Sequence, residues 1–160
     1  MAGPHFIVPT LPLGRVTTAR LGSGNTSAAQ RMSDVDAGKI VKLVGESQYD
    51  LAVAGDQIEG LVVSVEPATS GGWSVGGVID DEKFFVLADG LQATPGTGVI
   101  AIGDYVVTGT VVAKGTAQAS PYAKVTKATS QTPTPYAWRV VSRGAVGTGA
   151  VGTVLVIARV

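Results

Sequence analysis

The chain has 160 residues, 45% of them apolar and 15% charged, and its 12 basic and 12 acidic side chains cancel. That length suits one domain burying about two thirds of its unfolded surface, and the composition is too apolar for disorder. The absence of cysteine excludes disulfides, thiolate metal sites and cysteine nucleophiles, and no stretch approaches the roughly 20 apolar residues that cross a bilayer.

Residues 1–33 read as an extended N-terminal arm. Pro4, Pro9 and Pro12 fix φ and remove backbone donors, which disfavours a central strand. No charged n-region precedes an unbroken apolar run, so the start does not read as a secretory signal. Phe6, Ile7, Val8, Leu11 and Leu13 are too apolar for a solvated linker, and Arg15, Arg20 and Arg31 give the arm three positive charges. Two placements follow. The arm packs along its own domain as an edge segment, or these eight residues contact a neighbouring subunit or another protein.

From residue 34 onward the chain reads as one β body, 34–160. Glycine numbers 22, valine 25 and threonine 16, against only 9 leucines. Glycine serves turns, while valine and threonine are stiff at χ1 and fit a pleated surface. Strands are expected at Ile40–Val44, Tyr49–Ala54, Ile58–Val65, Trp73–Ile79, Phe84–Ala88, Tyr105–Ala113, Ala123–Ala128, Ala137–Val141 and Val151–Ala158. Gly109 would mark a bulge in the sixth. Thr26–Ala37 is a possible short helix between Asn25 and Gly38, and Asp80–Ala88 a weaker one. The fold class is all-β, an antiparallel β-sandwich or jelly-roll-like barrel.

Asp36–Gly45 echoes Ala101–Thr110 at Gly38/Gly103 and Val41/Val106, and Gly55-Asp56 precedes a strand as Gly103-Asp104 does. Internal duplication and convergent turn-strand grammar both produce such an echo. Charge is also unevenly placed. All 12 acids lie in residues 34–104, with only Lys39, Lys42 and Lys83 beside them. Lys114, Lys124, Lys127, Arg139, Arg143 and Arg159 follow without an acid. These blocks pair within one subunit, or complement a partner surface and fix its register.

Motifs that spell catalysis fail on context. Gly72–Gly76 matches G-x-S-x-G, but no helix follows it and the only histidine, His5, lies upstream. Gly147–Gly152 spells G-x-G-x-x-G but feeds a strand instead of opening a helix. Asp80-Asp81-Glu82 lacks the spacing of a calcium loop, and His5 has no partner for zinc. Catalytic, metal and cofactor residues are therefore expected to be none. Tyr122, Tyr136 and Trp138 among the late cations suggest a nucleic-acid groove, but 12 acids in one small domain oppose it. Trp73, Tyr122, Tyr136 and Trp138 stand as a candidate surface aromatic patch, the feature a carbohydrate-binding or host-adhesion module would use.

The segments D-x-G-K-I-V-K-L-V-G (36–45), G-D-x-I-E-G-L-V-V-S-V-E-P (55–67), A-W-R-V-V-S (137–142) and G-A-V-G-T-V-L-V-I-A-R-V (149–160) resemble small structural proteins of tailed-bacteriophage virions. They are most similar to capsid decoration, or cement, proteins, over most of Val35–Val160. The resemblance implies no enzymatic activity, no cofactor, and binding to the major capsid protein on the outer surface of the assembled capsid. It also implies a homo-oligomer, a trimer in preference to a dimer, on a virion assembled in the host cytoplasm. Direct contact with nucleic acid or membrane is not expected.

Overall fold

The computed structural model describes residues 16–66, 70–81, 83–89, 100–132, 137–143 and 152–160. Among these residues, ten strands form two closed five-stranded barrels. The first contains β1 (Val16–Leu21), β2 (Ile40–Gly45), β3 (Gln48–Leu51), β4 (Gly60–Glu66) and β5 (Ser74–Ile79), arranged β1-β3-β2-β4-β5. The second contains β6 (Phe84–Ala88), β7 (Tyr105–Thr108), β8 (Lys124–Lys127), β9 (Trp138–Arg143) and β10 (Val154–Arg159), arranged β10-β6-β8-β7-β9. The all-β class is as expected, and the barrel is the form it takes.

Each barrel repeats the other's wiring. The first strand of each pairs in parallel with the third, at Leu21↔Tyr49 and at Ala88↔Val125. Gly38 N–H donates to Val62 O at 2.7 Å, and Gly103 N–H to Val140 O at 2.8 Å. The return bonds match as well: Val62 N–H to Lys39 O at 3.0 Å, and Val140 N–H to Asp104 O at 2.9 Å. One irregularity recurs, whereas a register shift of β2 against β3 between Leu43 and Gly45 has no counterpart between β7 and β8. Val63 and Val141 are each the extra residue on the fourth strand, where the register shifts against the fifth. Both bulges lie within the same tripeptide, Val62-Val63-Ser64 and Val140-Val141-Ser142. The Gly38/Gly103 and Val41/Val106 echo falls on equivalent positions of the two barrels. Gly55-Asp56 does not correspond to Gly103-Asp104, because it lies between third and fourth strands instead of before a second.

The body is continuous across the barrels. One buried cluster joins Ile40, Ile58, Leu61 and Ile79 of the first to Phe84, Trp138, Leu155 and Ile157 of the second. A smaller cluster, including Leu21, Met32, Val41, Val62 and Val78, fills the first barrel alone. The barrels are also joined through backbone: Gly55 N–H donates to Thr108 O at 2.8 Å, and Thr108 N–H to Asp56 O at 2.9 Å.

Three expectations are corrected. Residues 16–33 belong to the body and not to an arm. β1 pairs antiparallel with β5 from Val16↔Ile79 to Leu21↔Ser74 and closes the first barrel. The expected helix at Thr26–Ala37 is two single 3-10 turns, Ala28–Gln30 and Asp34–Asp36, and the window at Asp80–Ala88 contains β6. No bulge occurs at Gly109, since β7 ends at Thr108. Glycine is needed there because a Cβ would lie 2.8 Å from an Asp89 carboxylate oxygen.

Candidate functional site

Of the residues proposed to contact a partner, Phe6, Ile7, Val8, Leu11, Leu13 and Arg15 lie outside the described residues. Arg20, Arg31 and Trp73 come together at one end of the first barrel. Arg20 faces Val75 across the β1–β5 ladder, which places its guanidinium carbon 5.4 Å from the centroid of the half-buried Trp73 ring. A backbone bridge joins Gly22 to Arg31, and Arg31 Nη1 donates to Gly72 O at 3.3 Å. Asn25 Nδ2 donates to Gly71 O at 3.1 Å, so the turn carrying Trp73 is held from two sides. Gly22 has φ +117°, and a Cβ there would lie 2.1 Å from Gln30 O. Only glycine fits this close approach.

The expected aromatic patch does not form. Trp138 is 1% exposed, with its ring 4.6 Å from that of Phe84 in the shared core. Burying so large an apolar ring outweighs exposing it as a platform. Tyr122 is half-buried and meets Phe85 edge-on at 6.2 Å, and Tyr136 lies outside the described residues. Trp73 is half-buried, with the Arg20 guanidinium over its ring.

The charge blocks pair largely within the chain. Every lysine of the basic C-terminal third meets an acid of the middle: Lys114–Asp50 at 2.6 Å, Lys124–Asp89 at 3.2 Å and Lys127–Asp104 at 2.9 Å. Inside the acidic block, Lys42 meets Asp56 at 2.6 Å. The Lys39–Asp36 pair, at 2.6 Å, is fully buried. Lys39 Nζ also donates to Ala113 O at 2.8 Å and Thr116 O at 2.7 Å, and Gly115 N–H donates to Asp36 at 2.9 Å. All three ammonium donors are thus used, which makes burial of this charge tolerable. Burial pushes the Asp36 carboxyl up, but hydrogen bonds from Lys39, Ser33 and Gly115 with the Lys39 charge outweigh it and hold the group below its ordinary value. The pair pins the β7–β8 loop to the first barrel.

A cleft of about 600 Å³ opens where the Ala54–Gln57 loop of the first barrel meets β7 and β8. Thr108 and Thr126 are buried in its wall, and Thr129, Ser130 and Thr132 are exposed around it. Asp89 and Lys127 also line it, both already paired as above. Thr108 Oγ1 and Trp138 Nε1 are buried without a hydrogen-bond partner. Each such donor costs about 1–3 kcal/mol, an unusual feature to find twice in one wall.

The motifs that spell catalysis have structural partners. Ser74 of Gly72–Gly76 is buried and donates its hydroxyl to Met32 O at 2.6 Å. Of Asp80-Asp81-Glu82, Asp80 accepts from Tyr49 Oη at 3.2 Å, Asp81 is exposed and Glu82 lies outside the described residues. Among the described residues no group of three His, Asp or Glu side chains is placed to hold a metal ion. Most of Gly147–Gly152 lies outside the described residues, and Gly152, φ +77°, turns the chain into β10.

Comparison with protein-family models, with curated proteins and with solved structures finds no match to this chain. Sequence reasoning missed both the buried Lys39–Asp36 pair and the threonine-lined cleft. The pair has a readable signal, an Asp-x-x-Lys spacing entering an apolar run; the cleft has none, because its wall comes from both barrels.

Proposed function

We propose that the chain is a non-enzymatic virion structural protein that binds the outer surface of an assembled phage capsid and stabilises it by bridging neighbouring capsid subunits. Resemblance of four of its segments to decoration proteins motivates the reading. The observation that carries it is the Arg20–Trp73 contact beside Arg31, which binds the adjoining Gly72 carbonyl. Tryptophan and arginine are the residues that most often anchor protein interfaces, and here the turn presenting them is fixed from both sides. Internal pairing of Lys114, Lys124 and Lys127 also leaves fewer cations for phosphate contacts, which supports a protein partner over nucleic acid.

The partner is the major capsid protein, reached by this cluster and by the apolar residues Phe6, Ile7, Val8, Leu11 and Leu13. Deleting residues 1–33 would strip β1 from a closed barrel, so the informative truncation removes 1–15 only. Co-sedimentation with assembled shells lacking this protein is the test. The full chain is expected to bind saturably, with loss of about tenfold or more on truncation and again on R20A with R31A. Retention of full affinity by both variants would contradict this mode of docking.

A further inference from the structure

β1 closes the first barrel over only part of its length. It pairs with β5 from Val16 to Leu21, but with β3 only at Arg20 and Leu21. β3 begins at Gln48, where the turn at Glu46 and Ser47 brings the chain in from β2. A groove of about 530 Å³ lies beside this turn, lined by Thr18, Ala19, Arg20, Glu46, Ser47 and Val75. Arg20 N–H donates to Ser47 O at 2.9 Å and Gly22 N–H to Tyr49 O at 2.8 Å. Backbone groups of alternate residues point the same way, so those of Val16 and Thr18 also aim to this side. Among the described residues none pairs with them there. Their side chains face outward. Val16 is 44% exposed and its Cγ1 lies beside Val63 Cγ2 over Gly77, where a Cβ would be 2.5 and 2.9 Å from the two.

The sequence preceding Val16 matches this edge in register. We infer that residues 10–13 fold back through a two-residue turn at Gly14 and Arg15 and add an antiparallel strand to β1. A two-residue hairpin loop that opens on glycine is a type II′ connection. It makes Leu13 the hydrogen-bonded partner of Val16, and Leu11 that of Thr18, the two β1 residues whose backbone groups point outward. Pro12 falls opposite Thr17, where its missing N–H faces solvent, as an edge strand tolerates. Pro9 falls opposite Arg20, whose N–H Ser47 already binds, so the pairing ends there. Opposed side chains share a face, so Leu13 and Leu11 cover Val16 and the groove beside Thr18. The added strand runs from the Arg20 end of β1 to the Val16 end. Phe6, Ile7 and Val8 therefore lie within about 10 Å of chain from Arg20. This last step deepens the capsid reading and rests on it: the apolar segment and the Arg20–Trp73 contact form one continuous docking surface.

Amide exchange and cross-strand contacts, read by NMR in the full chain, test the added strand. A Pro12 Hα–Thr17 Hα contact is expected, since these two form a close non-hydrogen-bonded pair. The Thr18 amide is expected to exchange about a hundredfold more slowly than in the chain lacking residues 1–15. Ala19, whose amide points to β5, stays protected in both and reports an intact barrel. G14V puts a β-branched residue where the turn needs positive φ, so it is expected to lose the Thr18 protection and keep that of Ala19. It is also expected to bind shells about tenfold more weakly than the parent. Three results overturn the strand: no Pro12–Thr17 contact, Thr18 protection that survives removal of residues 1–15, or protection that fades on dilution, which assigns the edge to a second copy. Full shell affinity in G14V overturns the shared docking surface. The strand is read in the free protein, so a parent chain that fails to bind shells contradicts the capsid reading alone.

Discussion

Single side chains decide how this body holds together, and the buried Lys39–Asp36 pair is the clearest case. Removing one partner leaves the other charge unpaired in the interior, so D36N is expected to cost about 3–5 kcal/mol in urea denaturation. Asp36, Asp56 and Asp89 share a pattern: burial pushes each carboxyl up, but hydrogen bonds and a nearby lysine outweigh it and lower it. A lowered native pKa adds stability that is present above the ordinary carboxylate value. That stability is lost as the pH falls from there through the lowered native values. Unfolding free energy is therefore expected to stay level near neutrality and to fall below about pH 4, less steeply in D36N. An equally steep fall in D36N would contradict the assignment. Trp138 shows the limit of reading at this scale. Its position among basic residues suggested a surface role, but nothing local reveals that it faces Phe84 across the core.

At the level of strands, the chain declared most of its architecture. All nine expected runs contain a strand, because valine, threonine and glycine punctuate them in the way pleated segments and turns require. β1 was missed because Pro4, Pro9 and Pro12 and three arginines made residues 1–33 look uniform. In fact Val16–Leu21 follows the last of these prolines and buries Ala19 and Leu21. Glycine positions give a sharp test of barrel closure. A Cβ at Gly76 would lie 2.0 Å from Ser64 O and 2.6 Å from Leu21 Cδ1, whereas at Gly55 it would meet nothing within 4 Å. G76A is expected to lower stability by more than about 2 kcal/mol. G55A, at φ +90°, should cost only about 1 kcal/mol of backbone strain. Equal costs in thermal denaturation would mean that β1, β4 and β5 do not approach as described.

For the whole molecule, the repeated five-stranded barrel is the organising fact. Matched parallel pairs, matched hydrogen bonds and a matched bulge make the two barrels one design used twice, although few residues coincide between them. Only Gly38/Gly103 and Val41/Val106 signalled it in advance, since backbone pairing conserves wiring while the core accepts many apolar side chains. The barrels do not stand apart, because one core cluster and the buried Lys39 clamp cross between them. On the proposed reading, such a body, its late lysines paired internally and its Trp73 turn bonded by Arg31 and Asn25, docks on a larger assembly. A ligand that binds only the assembled state stabilises it by mass action. Scanning calorimetry of capsid shells lacking this protein, with increasing amounts of it added, tests that claim directly. The account predicts a rise in shell disassembly temperature that grows with protein concentration and saturates; an unchanged temperature at every concentration would contradict it.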